Sequence, residues 1–128
     1  MQRQIKFRGQ RQSDNKWIYG DLLQPTEIYD GYEISDCESI DGARVDVIED
    51  TIGQYTGLHD KNGKEIYEGD IISNGYEKCI VVWVKEYAGF MLKLINKEYE
   101  NKEWTNPMID LGKEDEVIGN IYENPELL

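Results

Sequence analysis

Glu68 and Asp70 flank Gly69, and this Glu-Gly-Asp segment is the one acid pair whose spacing suggests chemistry. Glycoside hydrolysis and divalent-metal binding both need two or more converging carboxylates. The chain carries 26 acids in 128 residues, however, so close acidic pairs arise from composition alone. No His or Lys stands at a spacing that completes a catalytic set, and His59, the single histidine, cannot form a triad by itself. Cys37 and Cys79 are the only cysteines, with neither a Cys-x-x-Cys pair nor clustered His, which excludes the usual zinc arrangements. The Gly-x-Ser-x-Gly, Walker A and Gly-x-Gly-x-x-Gly patterns are absent too. The expectation is no catalytic group, no metal site and no cofactor. Glu68-Gly69-Asp70 reads as a structural turn, with solvated carboxylates that keep an edge from pairing wrongly.

A second group could bind rather than react. Arg3, Lys6, Arg8 and Arg11 precede Trp17 and Tyr19, and cations beside stacking rings are one route to nucleic acid. From Met1 to Gly20 five basic residues stand against one acid, an excess of +4. The plainer reading is a solvated strand face beside core aromatics, because the RNA- and single-strand-binding signatures are absent. The net charge of −12 also disfavours non-specific binding to phosphate. From Glu27 to Asp50 nine acids stand against Arg44 alone, which would steer a basic partner, and less well as salt rises. Acids recur from Glu98 to Glu126, so a DNA mimic is a further alternative. A mimic needs two ordered rows of carboxylates, with one charge per roughly 1.7 Å of axis. Segments 26–42 and 110–116 look too irregular to hold such rows.

The elements that must position these residues centre on Gln54 to Ile72, QYTGLHDKNGKEIYEGDII. Asp60-Lys61-Asn62-Gly63 has the chemistry of a tight reversal: Asp60 can accept from the backbone ahead, and Asn62 and Gly63 tolerate positive φ. Gly57, after Thr56, suggests a bulge or a close backbone approach. This stretch resembles the signature of the YopX family, small proteins encoded by bacteriophages and prophages. The closing stretch VIGNIYENPELL, from Val117 to Leu128, resembles that family's ending, and Ile5-Lys6-Phe7-Arg8-Gly9 resembles its start. The resemblance marks Tyr55, Thr56, Gly57, Asp60, Asn62, Gly63, Glu68, Gly69, Asp70, Gly119 and Asn120 as motif positions of structural role. His59 stands where the family pattern has a Lys, so the resemblance gives it no catalytic part. The family has no established biochemical activity, and the resemblance therefore implies a setting and no mechanism.

With 128 residues the default is one domain spanning 1–128, with lobes at 1–52 and 53–128 as the alternative. Nine Tyr and three Trp argue for a folded chain although 31% of residues are charged. Gln4 to Gly9 and Trp17 to Leu23 read as a hairpin across the turn Ser13 to Lys16. Residues 26–42 read as irregular, with Tyr29, Tyr32 and Ile34 covering the core as the chain crosses it. Ala43, Val45 and Val47 alternate with Arg44 and Asp46 as a half-buried strand. Lys78 to Lys85 reads as a central strand with Cys79, Val81 and Trp83 on one face and Ile80, Val82 and Val84 on the other, both covered. Phe90 to Asn96 is its neighbour. Asn96 to Asn106 is helix or loop, and Val117 to Tyr122 closes the chain with Gly119 at a bulge or close crossing.

The fold expected is mainly β: a small, strongly bent antiparallel sheet or SH3-like barrel from Gln54 onward, with the N-terminal strands packed on it. The start MQRQIKFRGQ has no apolar signal region and no run spans a bilayer, which predicts a cytoplasmic protein with reduced thiols and no membrane partner. The apolar end Leu127-Leu128 and the strand edges make a homo-oligomer plausible. The function these features point to is non-enzymatic binding of a host or phage protein.

Overall fold

Apolar residues at strand period write the first sheet: Ile18, Ile34 and Val47 are buried together, with Phe7, Leu22, Tyr32, Val45 and Ile52 packed against them. The computed structural model describes residues 4–95, the backbone of 105–107, and 111–128. Strands and short 3-10 turns make up the regular structure of these residues, with no α-helix among them, as a mainly β chain should show. None of the described helical turns is long and apolar enough to cross a membrane. The chain forms two compact units, Met1–Gly57 and Leu58–Leu128.

The first unit holds β1 (Phe7–Gln10), β2 (Trp17–Leu23), β3 (Tyr32–Asp36), β4 (Arg44–Val47) and most of β5 (Gly53–His59). They are antiparallel neighbours in the order β4, β3, β2, β1, β5. The β1–β2 hairpin forms as expected, in the register Phe7↔Gly20 to Gln10↔Trp17. Asn15 takes the left-handed conformation at its turn (φ 62), which Asn tolerates. Beyond β1 the chain bends back to the far edge. Arg11 bridges Val47, the Gln12 N–H donates to the Asp46 carbonyl at 3.0 Å, and the Ile48 N–H donates to the Gln10 carbonyl at 2.9 Å. The SH3-like barrel, the alternative to an antiparallel sheet from Gln54 onward, does not form: the described strands make two antiparallel sheets that do not close.

Residues 26–42 are not irregular throughout. Tyr32–Asp36 forms β3, because Ile34, at 0% exposure, fills the place between Leu22 and Val45 on the neighbouring strands. The acids Glu33 and Asp36 flanking it hide the alternation in the sequence. Tyr29, expected over the core, is 43% exposed.

In the second unit β5 ends and turns into β6 (Glu65–Tyr67), followed by β7 (Asp70–Ser73), β8 (Lys78–Val84), β9 (Gly89–Leu94), β10 (Thr105–Pro107) and β11 (Glu116–Asn120). The second sheet is antiparallel in the order β10, β9, β8, β7, β11, so β8 is central as its β-branched composition predicts. Ile66, Ile72, Val81 and Leu92 form its core, with Cys79, Phe90, Leu111 and Val117 packed against them. The cover over β8 is incomplete: Trp83 is 49% exposed, where its face runs out toward the 3-10 turn Lys85–Tyr87. Its ring meets Phe90 edge-on, 5.1 Å between centroids. The undecided segment 96–106 lies outside the described residues except for its last two, which belong to β10 and pair with Lys93 and Leu92. The tail turns through a 3-10 element at Pro125–Leu127, and Lys78 Nζ donates to the Leu127 carbonyl at 2.8 Å. Leu127 is half-buried and Leu128 exposed. Cys37 and Cys79 are free thiols. Burial, then the charges of Glu77 and Asp115, push Cys79 up to about 11.

Candidate functional site

The β1–β2 register sets Arg8 opposite Tyr19 and Gln10 opposite Trp17, so Arg8, Trp17 and Tyr19 share the face away from Ile18. The Arg8 guanidinium lies 4.6 Å from the Trp17 ring centroid, and the Lys6 ammonium 5.6 Å from that of Tyr55. Arg8 is only 4% exposed, so its charge is not offered to a duplex. Arg11 grips Asp14 through Nε at 2.9 Å and Nη2 at 2.5 Å. Those bonds, then the Lys16 N–H, hold the Asp14 carboxyl down at about 2 against the opposing effect of burial. Tyr19 is half-buried. Arg3 lies outside the described residues. The described cations of the expected binding face are thus each drawn onto a ring or a carboxylate of the first unit.

The signature stretch is built around Asp60. Its Oδ1 accepts the N–H groups of Asn62 and Lys64, each at 2.9 Å, and its Oδ2 accepts the N–H of Val117 at 2.9 Å. Gly63 takes the positive φ (80) that the turn requires and donates its N–H to the Asp60 carbonyl at 3.0 Å; Asn62 stays at negative φ. Asn62 Nδ2 reaches Glu116 Oε2 at 3.1 Å. Burial is the largest single influence on Asp60 and opposes its charge. The donors Val117, Lys64 and Asn62, with the Lys64 charge, outweigh it and leave the carboxyl below its ordinary value.

Ten residues on, the Glu-Gly-Asp segment makes the bend from β6 to β7. Asp70 is not solvated as expected: it is 1% exposed and its Oδ2 accepts the Tyr67 N–H at 2.8 Å. The donor it satisfies is itself buried, and a buried N–H left without a partner costs free energy. Gly69 (φ 93) donates to the Val81 carbonyl at 2.8 Å and accepts from the Ile121 N–H at 3.0 Å. A Cβ there would stand 3.0 Å from the Tyr122 ring. Glu68 is half-buried beside it. In β11 the register shifts between Val117 and Gly119, the bulge expected at that glycine. Asn120 Oδ1 accepts the N–H groups of Tyr122 at 3.0 Å and Glu123 at 2.9 Å, while Asn124 Oδ1 accepts the Asn120 N–H at 3.2 Å. In the first unit Tyr55 is buried and Thr56 half-buried. Gly57 has nothing within 4 Å of a built Cβ, so its positive φ (88), not a close approach, calls for glycine.

A different surface carries the exposed acids. On β3 and β4, Glu33 faces Asp46 and Ser35 faces Arg44, with Asp21 and Leu23 beyond them on β2. This face points away from Ile34 and Val45. The Tyr29 hydroxyl donates to the Asp46 carboxylate. That bond first, then burial and the charges of Asp46, Glu33 and Asp30, push Tyr29 up to about 12. Leu23, Ile28, Tyr29, Glu33 and Arg44 line a cleft of about 220 Å³ here. Among the described residues no group of three His, Cys, Asp or Glu is placed to hold a metal ion.

The family model described as YopX protein matches residues 6–128. The chain belongs to the YopX family. A crystal structure of protein EF1440 from Enterococcus faecalis is similar to it over 99% of each chain, at 24% identity and a TM-score of 0.57. That likeness is one of fold. No curated protein matches the chain.

Within the second unit two distant pieces of the YopX signature come together. Residues 58–72 and 117–128 meet through Asp60 and Val117, through Gly69 and Ile121, and through the pairing of β7 with β11. Sequence reading marked Asp60, Gly69 and Gly119 but missed Val117, Tyr122 and Asn124 as what they hold. The repeat of Asn at 120 and 124, four residues apart around a turn, was the available signal. It also missed the Glu33–Asp46 face, whose strand was hidden.

Proposed function

We propose that this YopX-family chain is a phage-encoded, non-enzymatic module that binds a host or phage protein in the bacterial cytoplasm. The observation that supports it is the use made of the signature's polar side chains. Asp60, Asp70 and Asn120 all hold backbone N–H groups of their own unit. A carboxylate that accepts three N–H bonds is poorly placed to act as a base or a ligand. The acids between Glu27 and Asp50, by contrast, lie on β3, on β4 and in the segments that flank them, where Ile28 and Ile40 are exposed. Such a surface favours encounter with a basic partner. Affinity capture with the full chain from host cells tests the reading. A partner retained at low salt and released at high salt is expected. Recovery of none at either salt, with turnover in a substrate screen, would replace this reading by an enzyme.

A further inference from the structure

Glu33 and Asp46 stand directly opposite one another on β3 and β4. Opposed residues on antiparallel strands hold their Cβ atoms roughly 4.5–5.5 Å apart, and like charges placed so destabilise a sheet. Ile34 and Val45 supply the packing on the opposite face, and on this face Asp46 accepts the Tyr29 hydroxyl, while no hydrogen bond of the Glu33 carboxylate is seen among the described residues. Glu33 also lines the cleft, with Leu23, Ile28 and Tyr29, and Ile28 at its rim is 97% exposed. Two facing carboxylates beside an apolar cleft give this surface the charge and the shape to take a basic, partly apolar segment.

We propose that this face docks a basic segment of a protein partner. A Lys or Arg of the partner sits between Glu33 and Asp46, and an uncharged aliphatic side chain enters the cleft against Leu23, Ile28 and Tyr29. The proposal rests on the protein-binding reading above and names its surface. Charge complementarity selects the occupant. Nine acids against Arg44 from Glu27 to Asp50 repel nucleic acid, acidic peptides and the same face of a second copy. Glu33 and Arg44 both line the cleft, so their charges offset one another there. The partner's positive charge is drawn toward Asp46, which is not among the lining residues, and the cleft is left to the aliphatic group.

The test uses the full chain and a fluorescein-labelled peptide, Lys-Arg-Leu-Lys-Arg, read by anisotropy at low salt. The double variant Glu33→Gln/Asp46→Asn is compared with Glu86→Gln/Glu114→Gln, which removes the same charge from exposed positions of the second unit. The first is expected to bind about tenfold more weakly, because it loses the cation site. The second is expected to bind within about twofold of the parent. Ile28→Ser should weaken the Leu peptide and leave a Gly-centred peptide unchanged. Equal loss in both double variants would mean bulk charge alone and overturn the proposal. So would preferential binding of an acidic peptide or oligonucleotide. If cell capture recovers a partner that the face variant retains equally, the protein-binding reading stands and this surface is wrong. Capture of nothing fails the reading itself.

Discussion

Asp60 accepts three backbone N–H groups, and its charge state is the natural lever on the turn. Asp60→Asn removes the charge and presents an NH₂ to a donor that the carboxylate satisfied. At least one of the N–H groups of Asn62, Lys64 and Val117 then faces another donor. The expected loss is about 2–3 kcal/mol, read from urea denaturation at neutral pH. The pH dependence follows from the sign of the shift. The folded carboxyl lies below its ordinary value, so its stabilisation is complete above about 3.9 and is lost as pH falls through the folded value. The gap between parent and Asp60→Asn should therefore be full near pH 6 and narrow progressively below about pH 4. A gap that stays constant across that range would remove Asp60 from this role. Asp14, held at about 2, belongs to an exposed pair with Arg11 and is expected to matter little.

At the scale of elements, β11 and its following turn are fixed by contact rather than by conformation. A Cβ on Gly119 would come within 2.5 Å of Asn124 Oδ1 and 2.8 Å of its Cγ, at a backbone angle that any residue can adopt. Gly57 is the reverse case, a positive φ with open space around it. Gly119→Ala should therefore cost about 2–3 kcal/mol by displacing Asn124 from the turn. Gly57→Ala should cost only about 1 kcal/mol, from backbone strain. Chemical denaturation of the two variants gives the order, and a larger loss at Gly57 would contradict it. The same contrast explains what could be read in advance. The β1–β2 hairpin, β8 and the Asp60–Gly63 reversal depend on period-2 alternation or on hydrogen bonds within a few residues, and such patterns are visible locally. β3 carries a single buried residue, Ile34, among acids, so its period is masked until Leu22 and Val45 flank it. The hold of Asp60 on Val117 spans 57 positions, and no spacing rule reaches that far. Arg8 reads as a surface cation until the hairpin register lays it over Trp17.

For the whole molecule, the sign and distribution of charge decide between classes of partner. A net charge of −12 sets a repulsive field for phosphate at long range, where low ionic strength makes it strongest. A local basic patch can overcome such a field only with exposed cations able to release counterions from the nucleic acid. Among its described residues the hairpin supplies one, Lys16 at its turn. Arg8 is buried over Trp17, Arg11 is held by Asp14, and Lys6 leans on Tyr55. Trp17 is covered on one face by that guanidinium, which leaves less of its ring for a base. The expected result is no retardation of single-stranded or duplex DNA, or of RNA, in gels run at low salt. Asp14→Asn sharpens the comparison, because it frees the Arg11 guanidinium and adds one positive charge. If the parent chain shifted an oligonucleotide and Arg11→Ala abolished the shift, nucleic-acid binding through the N-terminal hairpin would displace protein binding as the better account. If only Asp14→Asn shifted it, the ion pair itself would be what keeps this surface away from nucleic acid.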